Sequence, residues 1–187
     1  MTQYARPDED VSEGNWSPSS GSDLWGMIDE ASTDDDDYVS VTHADDTPET
    51  FQVGLSSVTD PVASDLHVVT VRASEDSGSS YISLVVTLKQ GATTIASDTF
   101  ASMTGSPDNY TFTLSSAEAD SITNYGALSL VFVATDQMGM MMPTTKIYQT
   151  FFECGDAPVP AGIAGIAYSP ARSAASDAAY GTTQRIR

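Results

Sequence analysis

LHVVTVRASEDSGSSYISLVVTLKQGATTIASDTF, residues 66–100, decides the fold of this chain. In residues 66–73 and again in residues 80–90, the apolar side chains recur at every second position, which is the period of a β-strand with one packed face. The link EDSGSS is rich in turn-forming residues, and Gly91 supplies the positive φ that a tight hairpin needs. The stretch therefore predicts three consecutive antiparallel strands in a meander. One face carries His67, Val69 and Val71 in the first strand, and Ile82, Leu84, Val86 and Leu88 in the second.

The sequence on both sides of this stretch continues the β pattern. Further strands are predicted at residues 38–43, 50–55, 109–114, 127–135 and 144–154. In the last of these, the alternation places Ile147, Gln149 and Phe151 on one face, opposite Tyr148, Thr150 and Phe152. Ser115, followed three residues later by Glu118, is a capping box and predicts one short helix that stops at residues 124–126. The predicted fold is an all-β, antiparallel, jelly-roll-like sandwich of about eight strands with one short helix.

Three segments are predicted along the chain: an N-terminal extended arm at 1–37, the sandwich at 38–154 and a C-terminal extended arm at 155–187. Both ends are polar or small in composition, with isolated large side chains that suit docking onto the protein's own sandwich or onto a neighbour. Residues 22–31 could begin a helical turn capped by Ser22 or Asp23, although Gly26 weakens it. The predicted anchors are Tyr4, Trp16 and Trp25 in the first arm, and Ile163, Ile166, Tyr168 and Tyr180 in the second.

The composition excludes some classes of function. The chain has 26 acidic and 7 basic side chains, a formal net charge of −19. Nucleic-acid binding depends on clustered Lys and Arg, so it is not expected here. No segment approaches the ~18 consecutive apolar residues of a membrane span, and the N-terminus lacks the apolar core of a signal peptide. We expect a protein made in the cytoplasm. Its single cysteine, Cys154, is expected to be a buried thiol.

A search for catalytic chemistry finds no nucleophile elbow, phosphate loop, zinc spacing or cysteine–histidine pair, so neither enzymatic activity nor a cofactor is expected. The run of four aspartates at residues 34–37 is read as a solvated turn, with a metal site as the less favoured alternative. The histidines His43 and His67 are a weak zinc signal. The loop at residues 136–143 carries four methionines, which are Met138, Met140, Met141 and Met142. They suit either an adaptable contact patch or filler at a sheet edge.

Four stretches of the chain resemble one known family. Residues 6–39 carry Arg-Pro-Asp, then Trp-Ser-Pro-Ser, then Asp-Glu-Ala, an aspartate run and a tyrosine. The other three are FQVGLSSVTDP at residues 51–61, LVVTLKQGATTIAS at 84–97 and LSSAEADSITNYGALSLVFVAT at 114–135. Together they resemble small β-sandwich virion structural proteins of tailed bacteriophages.

The resemblance implies a non-enzymatic protein on the surface of a virus particle, made in the host cytoplasm. The favoured function is that of a capsid decoration or cement protein whose arms bridge neighbouring capsid subunits. Its partners would be the major capsid protein or other virion subunits, and it would be a homo-oligomer in the particle. The alternatives are a tail, neck or fibre-associated protein, or a glycan-binding module used in host adsorption. Aromatic rings on one sheet face, from Trp16, Trp25, Tyr81 or Tyr110, would favour glycan binding.

Overall fold

Two antiparallel sheets pack face to face in the structure, a computed structural model that describes residues 2–76, 81–101, 103–138 and 142–158. The strands are β1 Thr2–Ala5, β2 Pro7–Ser12, β3 Ser17–Pro18, β4 Val39–Thr42, β5 Glu49–Leu55, β6 Val68–Glu75, β7 Ile82–Gln90, β8 Thr93–Phe100, β9 Asp108–Thr113, β10 Leu128–Asp136 and β11 Thr144–Gly155. Sheet A has the strand order β3-β4-β11-β6-β9, and β1 also pairs with β11. Sheet B has the order β2-β5-β10-β7-β8. The predicted all-β sandwich is confirmed.

The core lies between the sheets and is filled by the alternating apolar positions that the sequence predicts. Phe51 of β5 stacks on Phe132 of β10, with ring centroids 4.6 Å apart and an interplanar angle of 12°. Both rings are fully buried, which removes large apolar areas from water. The two predicted core faces are confirmed, since His67, Val69, Val71, Ile82, Leu84, Val86 and Leu88 all have 0% exposure.

The predicted meander is only partly correct. β7 and β8 form a hairpin with Gln90 opposite Thr93, and Gly91 between them has a φ of +56°. β6, however, belongs to sheet A, where it pairs with β11 and β9. The chain therefore crosses from one sheet to the other after β6. Alternation shows that a strand buries one face, but it does not show which of the two sheets the strand joins.

The short helix α1, Ser116–Asp120, has the predicted capping box. The Ser115 hydroxyl accepts a hydrogen bond from the Glu118 N–H at 3.3 Å, and the Glu118 carboxylate accepts one from the Ser115 N–H at 2.7 Å. The helix ends at Asp120, earlier than the predicted stop at residues 124–126. A second short element, the 3₁₀ turn Trp25–Met27, lies in the N-terminal part of the chain.

The expectation of an N-terminal extended arm at residues 1–37 is wrong for the residues described. β1 pairs with β11, β2 with β5 and β3 with β4, so this segment adds strands to both sheets. The predicted body at 38–154 supplies eight strands, β4 to β11, and the segment before it supplies three more. These strands are two to six residues long and largely polar. They lack the alternation that would have revealed them, and long-range backbone pairing holds them in place.

The C-terminal arm predicted at 155–187 begins at the last residue of β11. Residues 159–187 lie outside the described part of the chain. In the part that is described, no helix has the length and apolar character needed to cross a membrane.

Candidate functional site

A β-bulge in β11 creates the floor of the candidate site. The pairing of β11 with β6 shifts register between Ile147 and Gln149. Ile147 and Phe152 therefore both point into the core, with 0% exposure, although they are an odd number of residues apart. The prediction that Ile147, Gln149 and Phe151 share one face is wrong for this reason. Beyond the bulge, Gln149 and Phe151 face outwards and line a cleft on sheet A.

The chain that follows the 3₁₀ turn closes a gap along the edge of β11. β4 pairs with β11 over residues 144–147 and β1 pairs with it over residues 152–155, on the same edge. Between these two pairings, the Thr150 N–H donates to the carbonyl of Ile28 at 3.0 Å. The Glu30 carbonyl then accepts hydrogen bonds from Gln149 Nε2 at 2.6 Å and from Arg6 Nε at 3.3 Å. These bonds hold residues 28–30 against the outer face of sheet A.

The resulting cleft has a volume of about 390 Å³. This lies within the ~300–1,000 Å³ of typical small-molecule sites. Sheet A provides the floor, the end of β1 and the residue after it provide one wall, and residues 31–33 provide the other. The lining residues are Tyr4, Arg6, Ala31, Ser32, Thr33, Thr70, Asn109, Gln149 and Phe151.

Two aromatic rings and one guanidinium group form a cluster at one wall. The ring of Tyr4 meets the ring of Phe151 edge to face, with centroids 5.5 Å apart at 78°. The guanidinium carbon of Arg6 lies 5.1 Å from the centroid of Tyr4 and 5.6 Å from that of Phe151. Tyr4 is nevertheless 43% exposed. The cluster therefore presents an aromatic surface to solvent with a positively charged group fixed beside it.

Residues 28–33, which we call the covering loop, follow the 3₁₀ turn, and Asp10 of β2 fixes the start of that turn. The two carboxylate oxygens of Asp10 accept hydrogen bonds from the N–H groups of Leu24 and Trp25, both at 2.8 Å. These are free N–H groups at the start of the 3₁₀ turn, which a carboxylate satisfies well. The sequence predicts a cap from Ser22 or Asp23, and the structure corrects this. The cap comes from a distant strand, and no local spacing could have indicated it.

The aspartate run at residues 34–37 is partly fixed to sheet A and is not simply a solvated turn. Arg72 donates two hydrogen bonds to the Asp35 carboxylate, from Nε at 2.6 Å and from Nη2 at 2.7 Å. These bonds hold the pKa of Asp35 below its usual value. Among the described residues, no group of three or more His, Cys, Asp or Glu side chains is arranged to hold a metal ion.

Glu30, at the start of the covering loop, carries the partly buried carboxyl whose pKa is most perturbed in the site region. Burial raises its pKa to about 7, and repulsion from Asp29, Asp37 and Asp34 adds to the shift. One of its oxygens, Oε2, is buried and has no hydrogen-bond partner in the described part of the chain. The carboxyl therefore keeps its proton to higher pH than an ordinary glutamate does.

Of the three predicted anchors that the structure describes, only Tyr4 lies in the cleft. Trp16 is 4% exposed and packs on Phe51 at 4.6 Å, so it belongs to the protein's own core. Trp25 packs partly buried against the same core. Trp16 is therefore taken up by the protein's own core, and the anchoring role of Trp25 stays a prediction. Ile163, Ile166, Tyr168 and Tyr180, together with Met140 and Met141, lie outside the described residues.

The two described methionines of the predicted contact loop, Met138 and Met142, are 53% and 63% exposed. Their role in binding a partner stays a prediction. Tyr110 does not offer a free ring, because it packs on Phe100 at 5.2 Å and its hydroxyl accepts a hydrogen bond from the Thr104 N–H.

The remaining candidates for chemistry are internal. His43 Nε2 lies 3.0 Å from the Thr145 hydroxyl, and His67 Nε2 lies 2.7 Å from the Tyr125 hydroxyl. Both histidines are buried, and burial lowers the pKa of His43. Cys154 is a buried free thiol, as predicted, and burial raises its pKa to about 11. A thiol that keeps its proton is a poor nucleophile.

Sequence reasoning missed most of the cleft. Thr70 and Asn109 come from strands that the sequence predicts, but the sequence does not show which strands lie beside them in the sheet. Arg6 belongs to the Arg-Pro-Asp stretch that carries the resemblance, which is the one signal that could have drawn attention to it. Gln149 and Phe151 depend on the bulge, for which the sequence has no marker.

No family model matches the chain, and no curated protein matches it either. Several solved structures are similar to it, including the following three. The first is the carbohydrate-binding module TmCBM61 in complex with β-1,4-galactotriose, with 10% identity and a TM-score of 0.40 over 64% of this chain and 71% of that one. The second is the carbohydrate-binding module CBM36 in complex with calcium and xylotriose, with 17% identity and a TM-score of 0.36 over 79% of this chain and 98% of that one. The third is the K3 cleaved adhesin domain of Lys-gingipain from Porphyromonas gingivalis, with 10% identity and a TM-score of 0.41 over 83% of this chain and 100% of that one. At these identities and TM-scores, the likenesses carry no argument about what this chain binds.

Proposed function

We propose that the chain is a non-catalytic carbohydrate-binding module and that the cleft on sheet A holds its ligand. The observation that carries this proposal is the combination, in one cleft of about 390 Å³, of an exposed aromatic surface with convergent polar side chains. The aromatic surface is Tyr4 with Phe151. The polar side chains are Arg6, Asn109 and Gln149.

Sugars suit such a surface because they have both apolar C–H faces and closely spaced hydroxyl groups. The apolar face can pack on an aromatic ring, and the hydroxyls need both donors and acceptors. Gln149 donates through Nε2 to Glu30, and its Oε1 has no hydrogen-bond partner among the described residues. Asn109 accepts from Arg72 at 3.5 Å through Oδ1, and its Nδ2 is likewise without a partner there. One free acceptor and one free donor thus remain at the floor.

The proposal of a non-catalytic role is supported by the lining of the cleft. Glycoside hydrolysis ordinarily uses two carboxyl groups that flank the scissile bond. The cleft is lined by no Asp, Glu, His or Cys side chain from the described residues.

The test is a glycan array followed by titration of the best ligand. Wild-type protein is compared with Tyr4→Ala and with Val11→Ala, a truncation of another side chain of the N-terminal segment that is 50% exposed. We expect Tyr4→Ala to weaken binding about five- to tenfold, because stacking contacts of ~1–1.5 kcal/mol are lost. Val11→Ala should bind as wild type does. Failure of the wild-type protein to bind any glycan, or unchanged binding by Tyr4→Ala, contradicts the proposal.

A virion location is a second proposal, and it is supported by the sequence resemblance of residues 6–39, 51–61, 84–97 and 114–135. In this proposal the module decorates the capsid, with the major capsid protein as its partner and further copies of itself around it. A glycan cleft on such a protein would serve adsorption to the host. Saturable co-sedimentation with heads that lack the protein, together with greater resistance of those heads to heat, is the expected result. Absence of binding to heads removes the decoration role and leaves the tail or neck.

A further inference from the structure

Most of the basic side chains in the described part of this acidic protein lie on sheet A or beside it. Of the seven Lys and Arg residues, four lie in the described residues. Three of these four lie on sheet A or next to it: Arg72 on β6, Lys146 on β11, and Arg6 directly after β1. The fourth, Lys89, lies on β7 of sheet B. The cleft therefore lies on the sheet that carries most of the described positive charge.

Two of these three cations already have partners. The guanidinium of Arg72 makes a two-bond pair with Asp35. The ammonium of Lys146 lies 4.4 Å from the centroid of the Tyr38 ring. Neither charge is free to meet a ligand without losing an existing contact.

Arg6 differs from both. Its Nε donates to the Glu30 carbonyl at 3.3 Å, while its two terminal nitrogens have no acceptor in the described part of the chain. The rings of Tyr4 and Phe151, together with this one hydrogen bond, hold the group in place. The edge formed by the two terminal nitrogens has the spacing that binds a carboxylate through two parallel hydrogen bonds. A fixed guanidinium loses little conformational entropy when it makes them.

Acidic groups near the cleft do not use this edge. Asp35 is already paired with Arg72, and no ion pair joins Arg6 to a carboxylate among the described residues. Glu30 of the covering loop contacts Arg6 through its backbone carbonyl. A charged donor beside an aromatic surface, without a partner of its own, is the feature expected of a site that receives an anionic group.

We infer that the cleft selects sugars that carry a carboxylate, with the ligand carboxylate paired to the terminal nitrogens of Arg6 and the sugar ring against Tyr4. This inference rests on the proposed function, since it names the class of glycan that the same cleft binds. A neutral sugar would leave the guanidinium edge with water alone. A uronic acid unit would replace that water with two charge-assisted hydrogen bonds.

The test uses pairs of ligands that differ only in charge. Short oligomers of galacturonic acid and of mannuronic or guluronic acid are titrated beside their carboxyl-reduced forms, in which a neutral CH₂OH replaces each carboxylate. The calorimetry is done at about physiological ionic strength, where salt screens the long-range repulsion between the acidic protein and the charged oligomers. We expect at least one uronate oligomer to bind at least ten times more tightly than its reduced form.

Three variants assign the preference to one residue. Arg6→Gln removes the guanidinium, Arg6→Lys keeps the charge but not the two-bond geometry, and Lys89→Gln makes the same change in net charge on the other sheet. The tenfold preference should vanish in Arg6→Gln, fall in Arg6→Lys and persist in Lys89→Gln. If Arg6→Gln melts below the assay temperature, the comparison of Arg6→Lys with Lys89→Gln decides.

The outcomes separate this inference from the proposed function. Equal affinity for charged and reduced oligomers, or preference for the reduced form, overturns the carboxylate inference while glycan binding stands. A preference that survives in both Arg6 variants overturns it as well. If no oligomer and no array glycan binds the wild-type protein, the proposed function fails and the inference fails with it.

Discussion

Residues 2–37 and residues 39–155 build the same sandwich by different means. The second region consists mostly of longer strands, two of which, β10 and β7, form nine consecutive pairs. The first region consists of short strands, and the pairing of β2 with β5 shifts register twice. Besides its backbone pairing, it depends on single hydrogen bonds to side chains, including those that Asp10 accepts from the N–H groups of the 3₁₀ turn.

The division of structure matches a division of roles. The continuous strands supply the core and the floor of the cleft, where Thr70, Asn109, Gln149 and Phe151 lie. The N-terminal region supplies both walls, with Tyr4 and Arg6 on one side and residues 31–33 on the other. A regular scaffold tolerates variation in the segments that cover it, so binding surfaces are commonly built from irregular chain on a rigid sheet. Under the proposed function, ligand specificity therefore depends on the less regular region.

The first prediction tests whether the N-terminal region is part of the folding unit. Trp16→Ala removes a ring that is 4% exposed and packs on Phe51. We expect a loss of about 3–5 kcal/mol in the free energy of unfolding, measured by urea denaturation, because a large cavity opens in the core. The matched variant Val11→Ala, at a position 50% exposed, should stay within ~0.5 kcal/mol of wild type. An unchanged midpoint in Trp16→Ala would show that the region folds separately from the body.

The second prediction concerns the cap on the 3₁₀ turn. Asp10→Asn keeps the size of the side chain but replaces one of its two accepting oxygens with a donor, which cannot bond the N–H of Leu24 or Trp25. We expect a loss of about 1–3 kcal/mol, since a charged acceptor and one buried N–H bond are lost. Asp8→Asn on the same strand makes the same change in charge at an exposed position, so it should leave stability nearly unchanged.

The same Asp10→Asn variant links stability to binding. Because the cap fixes the chain that leads to residues 31–33, its loss should weaken the best glycan several-fold at a temperature where the variant is folded. Full affinity in a folded Asp10→Asn protein would show that the covering loop is positioned by other contacts, of which the Thr150 to Ile28 hydrogen bond is the strongest candidate.

The contrast between the two regions also explains what the sequence could predict. Alternation identified the strands and inward faces of the body, and the spacing of Ser115 and Glu118 identified the helix, because these signals are local. The sheet to which β6 belongs, the bulge before Gln149 and the cap from Asp10 are set by partners far away in sequence. The same is true of β1 to β3, which have little apolar pattern. The cleft depends on these non-local features, so the sequence predicted Tyr4 as a contact residue but not the site around it.

The smallest expected effect is the pH dependence that Glu30 confers. The pKa of its carboxyl is raised from 4.5 to about 7 in the folded protein. Between these two pH values the folded state holds a proton that the unfolded chain has released, so stability falls as pH rises through this window and levels off above it. For this partly exposed side chain, screening by solvent reduces the effect to about 1 kcal/mol. Glu30→Gln should therefore lose less stability than wild type between pH 4.5 and pH 7.

Thermal melts at several pH values measure this difference, with Glu13→Gln as the control at an exposed position. Other carboxylates titrate in the same range, but they are common to all three proteins and cancel in the comparison. If Glu30→Gln and Glu13→Gln follow the same curve, the Glu30 carboxyl is not desolvated in solution. The covering loop would then lie further from sheet A than its hydrogen bonds to Gln149 and Arg6 require, and the wall of the cleft at residues 31–33 would be open.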